Sequence, residues 1–285
     1  MPLFEIADIP VEFSGIENEF FNRRLAGYKL NSTVRPLLNV KLTDEPMLPS
    51  GTHVSGLQGF RHYYKSDDIY GIYDLLKAPD NYCAAIEFDH NVTNAKMSLS
   101  DISGYGGMSN DIRSFNMVGD IFKYFILKHD GIVLHSSCIK YKNSGIAFSA
   151  PPGTGKSTHT GLWKKCFPDD VTILNDDTPV IKFNKYVPGI YGTPWSGKTE
   201  INANQSAPLD AIVLLEQAPE NSISELSSDE ALFMILQEVS RPVFPEFMNL
   251  TLAAVEKLLT KVKVYRLKCN ISDQAVMTVK NKLEL

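Results

Sequence analysis

The sequence predicts an α/β fold in which a core with a mixed sheet follows a smaller, β-rich (α+β) N-terminal module. Strand-like and helix-like segments alternate through the second half of the chain, whereas the first half contains mainly short strand-like runs separated by turns. In the second half, a glycine-rich loop also connects an apolar strand to a helix-compatible segment. We therefore divide the chain into a module at 1–110, a linking helix at 111–130 and a larger domain at 131–285.

The composition is that of an ordinary globular protein. The chain has 285 residues, 44% of them hydrophobic, and a net charge of −5. The acidic balance argues against a nucleic-acid partner, which requires a basic surface. No apolar run is long enough for a membrane span, and MPLFEIADIP lacks a secretory pattern. The four cysteines are widely spaced, which indicates free thiols in the cytoplasm rather than a zinc site or disulfides.

Elements of the N-terminal module follow from alternation and turn signals. Two aromatic runs flank residues 65–68 and predict a hairpin, and NYCAAIEFDHN predicts a further strand. SGYGGMSN, residues 103–110, has no phosphate-loop spacing and predicts a connector. An amphipathic helix that ends at Gly131 is then predicted, because apolar residues recur at steps of three and four: Phe115, Val118, Ile121, Phe122, Phe125 and Ile126.

In the second half the predicted elements follow one another closely. GIVLHSSCIKY and GIAFSA flank a turn at 142–145 and predict a hairpin that leads into the glycine-rich loop. STHTGLWKKCF predicts a short helix, and VTILNDD predicts a strand that ends in two acids. Further strands are predicted at TPVIKF, YVPGIYG, DAIVLLEQ and KVKVYRLKC. Further helices are predicted from Ser227, which forms a capping box with Glu230, from Pro245-Glu246, with Leu250, Ala253 and Leu258 inward, and in SDQAVMTVKNKL.

The glycine-rich loop lies in IAFSAPPGTGKSTHT, residues 146–160. It fits the phosphate-loop pattern with Ala150 in place of the first glycine. Glycines let the backbone close around phosphate oxygens, and the following helix offers its amides to an anion. Lys156 is expected to reach the β- and γ-phosphates of a nucleotide, and Ser157 to ligate Mg²⁺. Since prolines have no N–H, the predicted nucleotide-binding residues are Gly153, Thr154, Gly155, Lys156, Ser157 and Thr158.

Two adjacent acids, Asp176 and Asp177, follow the strand at 171–174. Ligands of α/β proteins collect at the carboxyl ends of strands, so these carboxylates are expected at the site. One of them can hold the metal ion while the other accepts a proton from an attacking hydroxyl. The residues alone leave both assignments open.

Four other charged or titratable residues are candidates for the same site. His135 lies on the strand beside the loop and is either a structural partner or a catalytic residue. YGTPWSGKTEIN, residues 191–202, is either an ordinary loop or brings Lys198 or Glu200 to the phosphates or the metal, with Lys198 as a candidate contact to phosphate or acceptor. Arg241 is either a charge stabiliser or a cation at a helix end.

The order LHSSCIKY, GIAFSAPPGTGKST, TILNDDTPVI resembles the catalytic domain of HPr kinase/phosphorylase, in the phosphoenolpyruvate-carboxykinase-like class of phosphate-loop proteins. The resemblance covers about residues 130–285. It implies a fold of the HPr kinase C-terminal-domain type, with Lys156 on phosphates, Ser157 and Asp177 on Mg²⁺, and Asp176 as the base toward a serine hydroxyl. His135 would be a neighbour of that base. In place of the family's Arg-Gly-rich signature with its metal-binding glutamate, this chain has GTPWSGKTEIN, in which Glu200 is the candidate for that role. HPr kinases assemble as oligomers, so the resemblance also implies a homo-oligomer.

Together these observations favour a kinase that uses ATP or another NTP with Mg²⁺ and phosphorylates a hydroxyl, foremost a serine of a protein or peptide. Its expected catalytic residues are Asp176, His135, Lys156 and Arg241, and its expected metal ligands are Ser157, Asp177 and Glu200. Two alternatives stay open: a small-molecule kinase that acts on a serine-type hydroxyl, and a non-catalytic nucleotide sensor or assembly factor.

Overall fold

The computed structural model describes residues 2–16, 18–57, 60–75, 82–100 and 108–285. Within them the chain is a mixed α/β protein with two mixed sheets, and it divides into two compact units. The first unit is Met1–Lys128 together with Pro242–Met248, and the second is His129–Arg241 together with Asn249–Leu285. Of the connector predicted at 103–110, residues 103–107 lie outside the described residues.

The first unit contains an eight-stranded sheet in the order β1-β2-β3-β8-β7-β6-β5-β4 among its described residues. Strand β3 is parallel to β2 and β8, and the other neighbours are antiparallel. The predicted hairpin at 65–68 is confirmed as the β5–β6 turn, and the predicted strand at 81–91 as β7. The strands are β1 Leu3–Ile6, β2 Ile9–Ser14, β3 Leu38–Leu42, β4 Thr52–Leu57, β5 Arg61–Lys65, β6 Ile69–Leu75, β7 Tyr82–Asp89 and β8 Asn94–Leu99.

The helices described in the first unit are α1, Glu19–Arg24, and α2, Asn110–Lys128, with a 3-10 turn at Ala26–Tyr28. The six apolar residues that predicted the second helix are all buried in α2. This helix ends at Lys128 rather than at Gly131. Asp130 takes the left-handed conformation with φ of 54°, and Gly131 already opens the next strand.

Among the described residues, the second unit contains a nine-stranded sheet with the path β12-β10-β11-β15-β14-β13-β9, in which β17 also pairs with β15 and β16 pairs with β17. Strand β15 is parallel to β11 and β17 and antiparallel to β14. The predicted hairpin is confirmed as β10 and β11. The strands are β9 Gly131–Val133, β10 Ser136–Tyr141, β11 Ser144–Ser149, β12 Val171–Asn175, β13 Val180–Lys182, β14 Gly189–Tyr191, β15 Ser206–Gln217, β16 Ser222–Glu225 and β17 Lys263–Cys269.

Four helices complete the second half of the chain: α3 Lys156–Cys166, α4 Ser228–Glu238, α5 Pro245–Leu259 and α6 Asp273–Lys282. The predicted capping box at the start of α4 is confirmed, because Ser227 and Glu230 exchange side chain to backbone hydrogen bonds. In α5, Leu258 is buried as expected, but Ala253 is exposed and Leu250 is only half-buried. No helix in the described ranges is long and apolar enough to cross a bilayer.

The core beside the glycine-rich loop is built from the sheet, α3 and α6. Trp163 of α3 is fully buried against Tyr141 and Phe148, and Val276 and Val279 of α6 belong to the same apolar cluster. Burying aromatic and aliphatic side chains on one face of the sheet stabilises the fold by roughly 1.5–3 kcal/mol per large side chain. This packing fixes the start of α3 at the carboxyl end of β11, where the loop begins.

Candidate functional site

The loop between β11 and α3 requires two of its glycines. Gly153 has φ of 81° and Gly155 has φ of 115°, a range that L side chains rarely adopt. A Cβ atom at either position would meet no heavy atom within 4 Å. The backbone conformation, not crowding, therefore calls for glycine here, and there is open space beside both residues.

The first turn of α3 presents polar groups to this space. Gly155 is the N-cap and provides no side chain to cap the helix, so the first amides have no intrahelical partner. Ser157 and Thr158 are exposed in the same turn. In the loop before it, the Thr154 N–H donates to the Pro151 carbonyl at 3.3 Å. A helix start with this geometry favours an anionic ligand.

Lys156 lies under the loop, with its side chain turned inward. It is 8% exposed, and its Nζ donates to the carbonyl oxygen of Ala150 at 2.6 Å. Burial lowers the pKa of Lys156 below its ordinary value, while the nearby carboxylates of Glu238, Asp177 and Asp176 act in the opposite direction. The Lys156 ammonium group is thus held by the Ala150 carbonyl and lies in the field of three nearby carboxylates.

The two adjacent acids have different surroundings. Asp176 is 7% exposed, and its Oδ1 accepts a hydrogen bond from Ser137 Oγ at 2.6 Å. Ser137 Oγ also lies 2.8 Å from Thr160 Oγ1 of α3, so Asp176 faces the helix that follows the loop. The Asp177 side chain is 37% exposed and faces His135. Only Asp177 is readily reached from solvent.

A buried asparagine organises the turn that carries the two acids. Asn175 is fully buried, and its Oδ1 accepts from the N–H groups of Asp177 and Thr178 at 2.8 and 2.7 Å. Its Nδ2 donates to the carbonyls of Thr193 and Trp195 at 2.9 and 3.2 Å. This Asx turn joins the end of β12 to the loop at 191–202. Sequence reasoning missed Asn175, although an Asn before two acids is a turn signal.

His135 is held between two carboxylates. Its Nδ1 lies 3.2 Å from Glu238 Oε2, and its Nε2 lies 3.5 Å from Asp177 Oδ1. The His135 N–H also donates to the Glu238 carbonyl at 2.8 Å, which fixes both backbones. The sequence predicted that His135 lies within the hairpin strand. In the structure His135 lies between β9 and β10 instead. Glu238 was missed, because nothing in the sequence indicates that the end of α4 pairs with residue 135.

The loop at 191–202 packs against the acidic turn through Gly197. A Cβ atom on Gly197 would come within 3.2 and 3.3 Å of Asp177 Cβ and Cγ, and the φ of Gly197 is 63°. Asn202 Nδ2 donates to Ser196 Oγ at 2.8 Å and closes the loop on itself. This loop therefore approaches Asp177 closely at Gly197.

The other three predicted residues lie on the surface. Lys198 and Arg241 are exposed and make no hydrogen bond or ion pair with any described residue. Glu200 is exposed with φ of 57°, and its carbonyl accepts from Asn202 Nδ2 at 3.2 Å. Their roles toward phosphate, metal or acceptor stay predictions.

The oxygen groups near α3 match the chemistry of Mg²⁺. In the part of the chain that the structure describes, no group of three or more His, Cys, Asp or Glu side chains is placed to hold a metal ion. Mg²⁺ typically takes only one or two carboxylates and completes its shell with phosphate and water oxygens. A hydroxyl on Ser157 and the carboxylates of Asp176 and Asp177 fit such a donor set.

Comparisons with known proteins found a match among solved structures only. No model of a known family matches the chain, and no curated protein matches its sequence. Among solved structures it is similar to the Hpr(Ser) kinase/phosphatase from Coxiella burnetii, at 10% identity and a TM-score of 0.32. That match covers 53% of this chain and 92% of the other. A likeness of this size carries no argument about fold or activity.

Proposed function

We propose that the chain is an NTP-dependent kinase that transfers the γ-phosphoryl group to a hydroxyl, foremost that of a serine in a protein or peptide. One observation carries the proposal: the glycine-rich loop with its buried lysine and the solvent-accessible Asp177 lie at the same edge of one sheet. Strand β12, which ends before the acids, runs in the same direction as β11, which ends before the loop. This placement supports a phosphate site with a proton acceptor beside it.

The surroundings of the two acids favour Asp177 as the base. An acceptor hydroxyl arrives from solvent, and Asp177 is the carboxylate it can reach. Asp176 already accepts the Ser137 hydroxyl and is buried toward α3. The sequence left open which acid is the base. The family resemblance implies Asp176 as the base and Asp177 as the metal ligand, and our proposal reverses these two roles.

The proposed reaction uses the chain's own groups as follows. The substrate hydroxyl oxygen attacks the γ-phosphorus, the bond from that phosphorus to the β–γ bridging oxygen breaks, and the nucleoside diphosphate leaves. Asp177 accepts the hydroxyl proton, while His135 orients Asp177 and Glu238 orients His135. Lys156 and the first amides of α3 stabilise the negative charge of the phosphoryl oxygens.

A magnesium ion, when bound, supplies charge stabilisation to the phosphates. Ser157 and Asp176 would hold it under this assignment, and Asp177 would remain free to take the proton. The proposed step does not use Glu200.

The assignment of the base is tested by Asp177→Asn and Asp176→Asn compared side by side. Wild-type protein is first incubated with γ-labelled ATP, Mg²⁺ and cell extract, and the phosphorylated acceptor is identified by mass spectrometry. We expect Asp177→Asn to lose about 100-fold or more in transfer while ATP binding is nearly unchanged, because only the proton acceptor is lost. Asp176→Asn should instead weaken Mg²⁺-dependent binding of ATP.

The matched control is Asp229→Asn, which removes one exposed carboxylate from α4 and should leave both measurements unchanged. Full transfer by Asp177→Asn would overturn the base assignment. Labelling of a metabolite but no protein would replace the peptide acceptor with a small molecule. If wild-type protein binds ATP but labels nothing in any extract, the nucleotide-sensor alternative is favoured and the kinase proposal fails.

A further inference from the structure

A second feature of the loop region is a cavity of about 520 Å³ beside the phosphate loop. It is lined by Gly155 of the loop, His159 and Leu162 of α3, Leu215 and Gln217 at the end of β15, and Ile271 after β17. Its volume lies in the range of small-molecule sites. The residues that line it include neither of the two acids, so the cavity is separate from the carboxylates of the proposed transfer step.

The apolar part of the cavity comes from three different segments. Leu162, Leu215 and Ile271 line it, and Ile271 is 80% exposed. An isoleucine this exposed leaves most of its apolar surface in water, and a flat ring placed on it would remove that surface from water. A two-ring base covers more of such a surface than a one-ring base does.

The polar part of the cavity includes a buried histidine with one unused donor. His159 is 3% exposed, and burial lowers its pKa to about 4, so the ring is neutral at physiological pH. Trp163 Nε1 can only donate, and it lies 3.2 Å from His159 Nε2. The ring proton is therefore on Nδ1, which makes no hydrogen bond to any described residue. Because His159 is itself buried and lines the cavity, its Nδ1–H can donate to an acceptor on a ligand.

A matching acceptor is available from Gln217. Its Nε2 donates to the Thr154 carbonyl of the loop at 3.1 Å, which leaves its Oε1 to accept. One donor and one acceptor therefore line the cavity together with aliphatic walls, next to the loop that we propose to hold phosphates. A purine combines a flat apolar face with acceptor nitrogens and N–H donors on its edge.

We infer that this cavity binds the purine nucleoside part of the NTP, with the base against Leu162 and Ile271 and an acceptor atom of the nucleoside bonded to His159 Nδ1. The inference rests on the proposed function, since the phosphates must be held by the adjacent loop. It adds the class of nucleotide, which the loop alone leaves open because the loop contacts only phosphates.

Calorimetric titration tests the inference with ATP, GTP, CTP, UTP and inorganic tripolyphosphate, all with Mg²⁺. We expect the wild-type protein to bind ATP or GTP at least about tenfold more tightly than CTP, UTP and tripolyphosphate. His159→Gln keeps an acceptor for Trp163 but loses the Nδ1 donor, and Ile271→Ser removes the apolar wall. Each should lower purine affinity about tenfold and leave tripolyphosphate affinity unchanged.

Val187→Ser is the matched control, because Val187 is also an exposed aliphatic residue in the second unit but does not line the cavity. Ile271→Ser keeps the test informative if His159→Gln fails to fold, since position 271 is largely in solvent. Equal affinities of ATP, UTP and tripolyphosphate would overturn the purine site alone. If neither tripolyphosphate nor any of the four NTPs binds, the phosphate loop itself is wrong and the proposed function fails with it.

Discussion

Asp176 and Asp177 are neighbours in sequence, yet one is buried against a serine and the other faces a histidine and solvent. Asn175 causes this difference. Its Oδ1 accepts hydrogen bonds from the backbone N–H groups of Asp177 and Thr178, and these bonds turn the chain directly after β12. At the scale of single residues, the arrangement is therefore set by hydrogen bonds that a polar side chain makes with the backbone, and not by the acids themselves.

Glu238 gives the sharpest prediction for one residue. Burial lowers the pKa of Lys156, and the Glu238 charge is the largest of the opposing effects. Without that charge the Lys156 pKa falls further. The protonated, active form is then lost at a lower pH. For Glu238→Gln we expect the alkaline limb of the kcat/KM profile to shift to lower pH, and transfer near neutral pH to fall about tenfold.

Asp229→Asn on the same helix serves as the control, and its pH profile should coincide with that of the wild type. An unchanged alkaline limb in Glu238→Gln would show that Glu238 has only a structural role, because a lost contact alone does not move the pKa of Lys156. ATP binding near neutral pH, measured in parallel, separates the loss of transfer from a loss of nucleotide.

At the scale of elements, the loop at 191–202 is held to β12 at the point where it meets Asp177. Gly197 has a left-handed φ of 63°, and a Cβ atom at this position would lie only 3.2 Å from Asp177 Cβ, closer than ordinary van der Waals contact. Gly197→Ala should therefore cost about 1 kcal/mol in free energy of unfolding and move the Asp177 carboxylate. We expect transfer to fall several-fold while ATP affinity is kept, as measured by urea unfolding and single-turnover assays.

Gly161→Ala is the matched control within α3. A Cβ atom there would meet nothing within 4 Å and the residue has ordinary helical backbone, so alanine should stabilise the protein slightly. If Gly197→Ala is as stable as the wild type and transfers phosphate at the same rate, the proposed contact between this loop and Asp177 is contradicted.

At the scale of the whole molecule, the first unit is completed by residues distant in sequence. Segment Pro242–Met248 belongs to it, and Glu246 of this segment accepts hydrogen bonds from Lys65 and from Tyr70. Phe244 and Phe247 pack against aromatic side chains of the same unit, including Tyr70 and Tyr124. A chain segment from the second half therefore contributes to the stability of the first unit.

Glu246→Gln tests this contribution through its pH dependence. Burial alone would raise the pKa of Glu246, but the hydrogen bonds from Lys65 and Tyr70 lower it from 4.5 to about 2. The ionised form therefore stabilises the folded state above pH 4.5, and this contribution is lost as the pH falls toward 2. We expect the variant to be about 1 kcal/mol less stable at pH 7, with the difference shrinking below pH 4.5.

Urea unfolding at several pH values measures this difference. The control, Glu256→Gln, removes an exposed carboxylate from the same helix and should differ little from the wild type at any pH. A stability deficit of Glu246→Gln that is the same at pH 7 and pH 3 would contradict an ionic contribution.

Much of the fold was predictable because the signals are local. Two alternating aromatic runs predicted β5 and β6, three- and four-residue spacing predicted α2, and the Ser227–Glu230 pair predicted the start of α4. The errors also have local causes. Gly131 was taken as the end of a helix, but Asp130 adopts the left-handed conformation instead. The inward face of α5 was misjudged at Ala253, because alanine carries little information about burial.

The sequence by itself determined the glycine-rich loop, the lysine beneath it and the two acids after β12. Each of these features can be predicted from the types and spacing of residues within one short segment. Only the tertiary structure decided which acid faces solvent, that Glu238 holds His135, that Gly197 touches Asp177, and that His159 lines a cavity with an unused donor. These contacts join residues that are 20 to 103 positions apart or depend on side-chain burial, and packing between elements, not local pattern, brings them together.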